Sequence, residues 1–367
     1  MKYHVWPGAM MLLSIILFTS LSGCTQESNW SITVNGDSVI DRSFYNKLEN
    51  CNATYDDVTG VPLECFLYCQ GIYPVTSVSF SNLTFDWKEA AGSAYKGIGM
   101  LVLPDGSIYY AGTRYTVDSI NVGVTDSPGI NTSLVAGSVL YVLGVSDEKG
   151  LIENRSDRVV LFYIDGMGSD RYEFMKSKGL MKNVSSIGEP VQALCVYPSI
   201  SRVNSKTLVT GITPDYDKGN FRSMFPDGAT IFDRLSAAGK KGMWIDGTSV
   251  PVLVDQTRNC IDRNHDGSDD DEVADEAIMQ YQSGKDFIIV HFDDTDSSLH
   301  DSGPYSESSV RSFERIDALT GKVMESLAPG TLVIIYSDHG GHDTANGGDH
   351  GTLLPDDMLV PILFNTI

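Results

Sequence analysis

The pattern of apolar and polar positions divides the chain near residue 150. Between residue 28 and about residue 150 the apolar positions fall in short β-branched and aromatic runs: "WSITVNG", "TSVSFSNLTFDW", "IGMLVLPDGSIYYAGTRYTV" and "GSVLYVLGV". The turn-forming "NGD", "PDG" and "SPG" separate them. Such runs predict a β-rich region of about seven or eight strands. "SDEKGLIENRSDR", Ser146 to Arg158, reads as a charged linker. From Val159 the runs become continuous and longer. "VVLFYIDG", "GMWIDG", "DFIIVHFDD" and "TLVIIYSDHGG" are apolar at every position before a polar end. That suits parallel strands buried on both faces. "TIFDRLSAAGKKG" and "SESSVRSFERIDALTGKVMESLA" have helical spacing, the second with a serine-rich start. Strands alternating with helices predict an α/β fold, a doubly wound sheet with helices on both faces. In such sheets ligands gather at the carboxyl ends of the strands.

The first 24 residues are not part of that fold. "MMLLSIILFTSLSGC" is too short to span a bilayer in a mature protein and ends in small residues, as a signal peptide does. Its ending "LSGC" resembles a lipobox, which implies that Cys24 is lipidated. The chain is then expected outside the cytoplasm and held to the membrane by that anchor. Three parts result: a signal peptide, 1–24; a β-rich domain of unassigned role, 25–150; and the α/β domain, 151–367. The net charge of −22 argues against a nucleic acid duplex or an anionic membrane surface as the main partner. Cys51, Cys65, Cys69, Cys195 and Cys260 remain after Cys24. Export permits disulfides, and a bridge from the Cys65–Cys69 pair to Cys51 is expected.

The candidate chemistry lies at the strand ends. Asp165 follows "VVLFYI", Asp293, Asp294 and Asp296 follow "DFIIVHF" with His300 close behind, and Asp338 and His339 follow "TLVIIYS". A single carboxylate at a strand end usually caps the next helix. Three such ends, two of them with histidines, are more specific. Mixed Asp/His ligation suits zinc or a similar divalent metal. The number of candidates suits two ions, an arrangement that serves in-line displacement at phosphorus.

The motifs "IDGMG", "PSISRVN…TLVTGITP", "DTDSSLHDSGP", "SDHGG" and "DHGTLLPDDMLVPIL" occur in that order. Together they resemble the alkaline phosphatase superfamily, most closely its type I phosphodiesterase/nucleotide pyrophosphatase branch, over about residues 159–365. The resemblance implies a phosphate ester or nucleotide-like small-molecule substrate and two divalent metals, with zinc as the natural choice. It implies Ser201 as nucleophile, three residues after Pro198, and Asn204 as donor to a phosphoryl oxygen. Asp165, Ser201, Asp338 and His339 would hold one metal, and Asp296, His300 and His350 the other. A phosphoseryl intermediate would follow. His342 is expected outside the ligand set and His291 in the core.

"DRNHDGSDDDEV" places Asp262, Asn264, Asp266 and Gly267 at calcium-loop spacing, but the twelfth position is Val273. Asp271 or a neighbour would have to close a structural calcium site. A sulfatase would need Cys or Ser two residues before proline and Arg two after. Here Cys195 and Arg202 sit three before and four after Pro198, which excludes that reading. Two alternatives to a diesterase stay open. One is a phosphomonoesterase, with Arg202 binding a dianionic phosphate; the other is a catalytically inactive surface binding protein.

Overall fold

The computed structural model describes residues 29–91, 99–219 and 221–367. The signal peptide and Cys24 lie outside the described residues. Among those described, no helix is long and apolar enough to cross a membrane.

The expected β-rich part is present as two five-stranded sheets. One runs in the order Ser38–Asp41, Ser31–Val34, Ser119–Val124, Val75–Phe80, Leu83–Asp86. The other runs Ala53–Tyr55, Val58–Pro62, Leu101–Val102, Ile108–Tyr110, Thr113–Tyr115. The strands exceed the expected seven or eight because a hairpin hides in "ATYDDVTGVP". Its two-residue turn is Asp56–Asp57, with φ of 48° and 61°. Both residues adopt the left-handed conformation without a glycine to announce it. A second correction concerns "GSVLYVLGV". Leu134–Val142 is a helix, not a strand, and seven of its nine residues are buried. It packs against the helices Ser201–Thr210 and Ile231–Ala237. A helix covered on nearly all sides has no polar stripe, so its sequence shows no helical period.

The α/β part is built on a seven-stranded sheet. Its order is Val191–Leu194, Leu359–Thr366, Leu332–Tyr336, Val159–Ile164, Phe287–Phe292, Gly242–Asp246, Thr257–Asn259. Val159–Ile164 is parallel to both neighbours, with Tyr163 beside His291 and Tyr336. Leu359–Thr366 runs antiparallel. Strand residues alternate between two cores, as a pleated sheet covered on both faces requires. Val160, Phe162, Ile164, Val290 and Ile335 face one core, with Tyr172, Val273 and Phe313 of the helices on that side. Leu161, Tyr163, Ile289 and Ile334 face the other, which extends without a break to Ile32, Val78 and Trp87 of the β-rich sheets. The β-rich part thus packs on the same face of the sheet as the helix that starts at Ser201.

The five cysteines are thiols, not disulfides. Cys51 and Cys65 lie side by side in the core, and this contact, together with burial, holds the Cys65 thiol well above its usual pKa.

Candidate active site

Parallel strands ending at one edge bring distant residues together. Asp165 directly follows Val159–Ile164, and Asp293 follows Phe287–Phe292. Asp338 and His339 lie just past Leu332–Tyr336. Asp296 and His300 sit one turn apart on the helix Asp294–Ser302, which makes them neighbours on one face. Ser201 is the first residue of the helix Ser201–Thr210, whose N-terminus has no side-chain cap. The backbone must be glycine at 166. There φ is +63°, and a Cβ would stand 2.8 Å from Asp296 Oδ1.

Two donor groups result. In the first, Ser201 Oγ is 3.2 Å from His339 Nε2 and 3.4 Å from Asp165 Oδ1. His339 Nε2 is 3.3 Å from Asp165 Oδ1 and 3.2 Å from Asp338 Oδ2. In the second, His300 Nε2 is 3.3 Å from Asp296 Oδ2 and 3.1 Å from His350 Nε2. His350 Nε2 is 3.7 Å from Asp296 Oδ1. The two groups touch: the His339 and His350 rings stack at 3.7 Å, and His339 also comes within reach of Asp296. Apart from Asn204, the residues that the resemblance singles out therefore converge on one place.

The protons in this cluster can be located. A backbone carbonyl only accepts, so the ring nitrogen facing one must carry hydrogen. Nδ1 of His339, His350 and His300 faces Gly340 O at 2.7 Å, Ser199 O at 2.9 Å and Gly348 O at 3.2 Å. In the neutral rings every Nε2 is then a lone pair, and all three point at carboxylates or at each other. Asp296 Oδ1 and Asp338 Oδ2 are buried without a hydrogen-bond donor. Burial and the nearby Asp165 push the Asp338 carboxyl up to about 7. Burial and the neighbouring His339 push His350 down to about 4. Against the effect of burial, Asp338 and Asp165 raise His339 to about 10. Three Nε2 atoms facing carboxylate oxygens, two of which are buried without a donor, are an arrangement that a pair of divalent cations would balance. One carboxylate with two imidazoles, and two carboxylates with an imidazole and a hydroxyl, are donor sets of the kind zinc accepts. The residues fit the ions that the resemblance implies.

The pocket over the cluster has a volume of about 540 Å³. Asp165, Ser201, Arg202, Asp293, Asp296, His300 and His350 line it, and Thr248 to Pro251 form part of its wall.

Three expectations need correction or completion. Asn204 is fully buried and makes no part of the pocket. Its Oδ1 accepts from Val196 N at 2.8 Å, and its Nδ2 donates to Val196 O at 3.0 Å and Ile200 O at 3.3 Å. The amide reaches back to hold the loop before Ser201, so it has no donor left for a phosphoryl oxygen. At the acidic loop, Arg315 pairs with two of the residues assigned in sequence to calcium. Its Nη2 lies 3.0 Å from Asp266 Oδ2 and 2.8 Å from Asp271 Oδ1. Asn264 Nδ2 donates to Asp271 Oδ2 at 2.9 Å, and Asp262 accepts from the amides of His265 and Gly267. His342 lies outside the cluster, paired with Asp357 at 2.7 Å.

His291 is in the core as expected, but it also reaches the site. Its Nε2 is 3.0 Å from Asp165 Oδ2 and its Nδ1 is 2.9 Å from Asp246 Oδ1. Trp244 Nε1 donates to Asp246 Oδ2 at 2.6 Å. Three adjacent strands thus carry an Asp246–His291–Asp165 line that orients Asp165, the kind of support that metal ligands ordinarily have. Arg171, also missed in the sequence, is fully buried. It donates to the carbonyls of Gly166, Thr295 and Pro304 and so ties the Asp165 turn to the helix of Asp296.

Residues 227–361 match the family model of type I phosphodiesterase/nucleotide pyrophosphatase. That span includes Asp296, His300, Asp338, His339 and His350, and it leaves Asp165 and Ser201 outside. This part of the chain is therefore phosphodiesterase/nucleotide pyrophosphatase-like, as its motifs suggest. No curated protein matches the sequence significantly. Similar solved structures include an alkaline phosphatase superfamily protein from Vibrio parahaemolyticus, at 15% identity and TM-score 0.43, covering 64% of this chain and 68% of that one. A 2-O GAG sulfatase has 13% identity and TM-score 0.44, over 58% of this chain and 65% of its own. Phosphonoacetate hydrolase from Sinorhizobium meliloti 1021 has 14% identity and TM-score 0.39, over 51% and 57%. The chain thus spans less than two thirds of the last two.

Proposed function

We propose that the protein is an extracytoplasmic, metal-dependent hydrolase of phosphodiesters or pyrophosphates, anchored through Cys24 and acting through Ser201. The observation that carries this reading is the convergence of three imidazole Nε2 atoms and four carboxylate oxygens beside one serine hydroxyl. Asp165, Ser201, Asp338 and His339 would hold one divalent ion, and Asp296, His300 and His350 the other. Such ions, when bound, lower the pKa of a hydroxyl or a water and neutralise charge on the departing oxygen.

The chain's own residues do the rest. Ser201 Oγ forms a bond to phosphorus while the bond to the alcohol oxygen breaks, and the alcohol leaves with one proton. Water then attacks the phosphoserine, the Ser201–phosphorus bond breaks, and Ser201 regains its proton. The sum is diester plus water giving monoester plus alcohol. With Asn204 engaged elsewhere, the free amides at the uncapped N-terminus of the Ser201 helix are the donors placed for a phosphoryl oxygen. The Asp246–His291 pair and Arg171 keep Asp165 in place. The test is turnover of bis-p-nitrophenyl phosphate and of a p-nitrophenyl nucleotide ester by the zinc-loaded protein. Absence of turnover on both, with metals bound, would refute the proposal.

Arg202 lines the pocket beside Ser201, which favours a second reading, phosphomonoesterase. A guanidinium attracts a dianionic phosphate more strongly than a monoanionic diester. Under that reading p-nitrophenyl phosphate turns over faster than the diester, and R202A reverses the preference.

A further inference from the structure

A buried carboxyl group outside the site connects the β-rich part to two loops of the site. Glu64 lies on the helix Leu63–Cys69 and is 2% exposed. Its Oε1 accepts from Leu353 N at 2.9 Å and from Trp87 Nε1 at 3.2 Å. Its Oε2 is 3.2 Å from the Tyr197 hydroxyl. Leu353 lies three residues after His350, and Tyr197 lies four before Ser201. One carboxyl group therefore bonds to the loop that ends in the proposed nucleophile and to the loop that carries a proposed metal ligand.

The neighbouring contacts reinforce the join. Tyr68, one turn along the same helix, packs its ring on Tyr197 at 5.5 Å and on Tyr216 at 5.3 Å. The Tyr216 hydroxyl donates to Tyr197 O. Val75 N donates to Leu353 O at 2.8 Å, so strand Val75–Phe80 holds the same residue whose amide Glu64 accepts. The loops are also linked to each other, through Ser199 Oγ to Thr352 O at 2.8 Å and through His350 Nδ1 to Ser199 O. A carboxyl in an apolar core is unfavourable unless its bonds are met. Here all its partners lie along this join.

We propose that Glu64 is a positioning residue for the active site. It locks the β-rich part onto the Tyr197–Ser201 and His350–Leu353 loops and so sets the distance between Ser201 and the Asp296–His300–His350 group. The β-rich part is then a support behind the two loops and, among the described residues, not part of the pocket lining. This rests on the site reading given under Proposed function, in which Ser201 and His350 act together. Glu64 touches nothing in the pocket, so its loss should act on the attack geometry and on metal retention more than on substrate affinity. A displacement of about 1 Å at reacting groups costs on the order of 100-fold in rate.

The test uses the full chain with zinc and bis-p-nitrophenyl phosphate. It compares wild type, E64A, E64Q and Y197F for kcat, KM, metal content after a fixed chelator challenge, and thermal midpoint. Expected for folded E64A is a fall in kcat of about 10–100-fold with KM little changed, together with lower metal retention. Gln presents the same acceptor to Leu353 N and Trp87 Nε1, so E64Q should recover most of both losses. Y197F removes only the hydroxyl tie, should fall in between, and carries the test if E64A does not fold. Wild-type kcat and metal retention in folded E64A, or in Y197F if E64A does not fold, would overturn the proposal. So would an E64Q no better than E64A. A wild type that binds zinc but cleaves no diester would refute the diesterase reading alone, and metal retention across the series would still decide the role of Glu64.

Discussion

Replacing Asn204 by alanine separates structural support from catalysis. The Asn204 amide is buried and makes three hydrogen bonds to the loop before Ser201. Alanine deprives the Val196 and Ile200 carbonyls of a donor each, at about 1 kcal/mol apiece. It leaves Val196 N–H buried without an acceptor, which costs about 1–3 kcal/mol more. The sum is about 3–5 kcal/mol, and at roughly 2 °C per kcal/mol for a chain of this size the midpoint should fall by about 6–10 °C. Asn204→Asp should be as damaging, because it turns a donor into an acceptor facing two carbonyls. Chemical and thermal denaturation of metal-loaded wild type and variants give the stabilities, and diester turnover well below the midpoint gives kcat. An N204A protein as stable as wild type, yet with a large loss of kcat, would refute the structural assignment and return Asn204 to the role of phosphoryl-oxygen donor.

Other outcomes follow from the same geometry. H291Q cannot bond Asp165 and Asp246 at once as the imidazole does, so metal affinity should fall about 10–100-fold in a chelator competition; unchanged affinity would mean that Asp165 needs no such support. Burial raises the Glu64 carboxyl to about 8 from 4.5, so the folded protein holds this proton more tightly than the unfolded chain. The resulting stabilisation is complete below about pH 4.5 and disappears as the pH rises through about 8. It is on the order of a few kcal/mol. E64Q should lack that decline, so its stability relative to wild type should improve between pH 5 and pH 9. Parallel curves for the two proteins would exclude it.

Much of the site was legible because buried parallel strands are conspicuous in sequence. Asp165, Asp296, Asp338 and His339 stand shortly past runs such as "VVLFYI" and "TLVIIYS" that read as core strands and are core strands. What escaped depends on where a side chain turns or on partners distant in sequence. Asn204 is three residues from Ser201 on one helix, a spacing that suggests a shared face, yet its amide bends back to Val196. Arg315 meets Asp271 across 44 residues, so a loop that looks like an open cation site already holds a guanidinium against two of its carboxylates. Glu64 meets Leu353 across 289 residues. In sequence it is one acidic residue in an apolar stretch. The helix Leu134–Val142 was hidden for another reason: nearly complete burial erased the periodicity that would have revealed it.

Under the proposed reading Ser201 is the nucleophile, and the Asp165–Asp338–His339 and Asp296–His300–His350 groups would each hold one divalent ion. The most direct measurement is diester turnover by zinc-loaded wild type and S201A, with metal content determined on the same samples. The expected result is about two metals per chain in the wild type, with at most a modest loss of affinity in S201A. Turnover in S201A should be lower by about 1,000-fold or more. Turnover within a few-fold of wild type in S201A, or a wild type that binds no divalent metal, would contradict it.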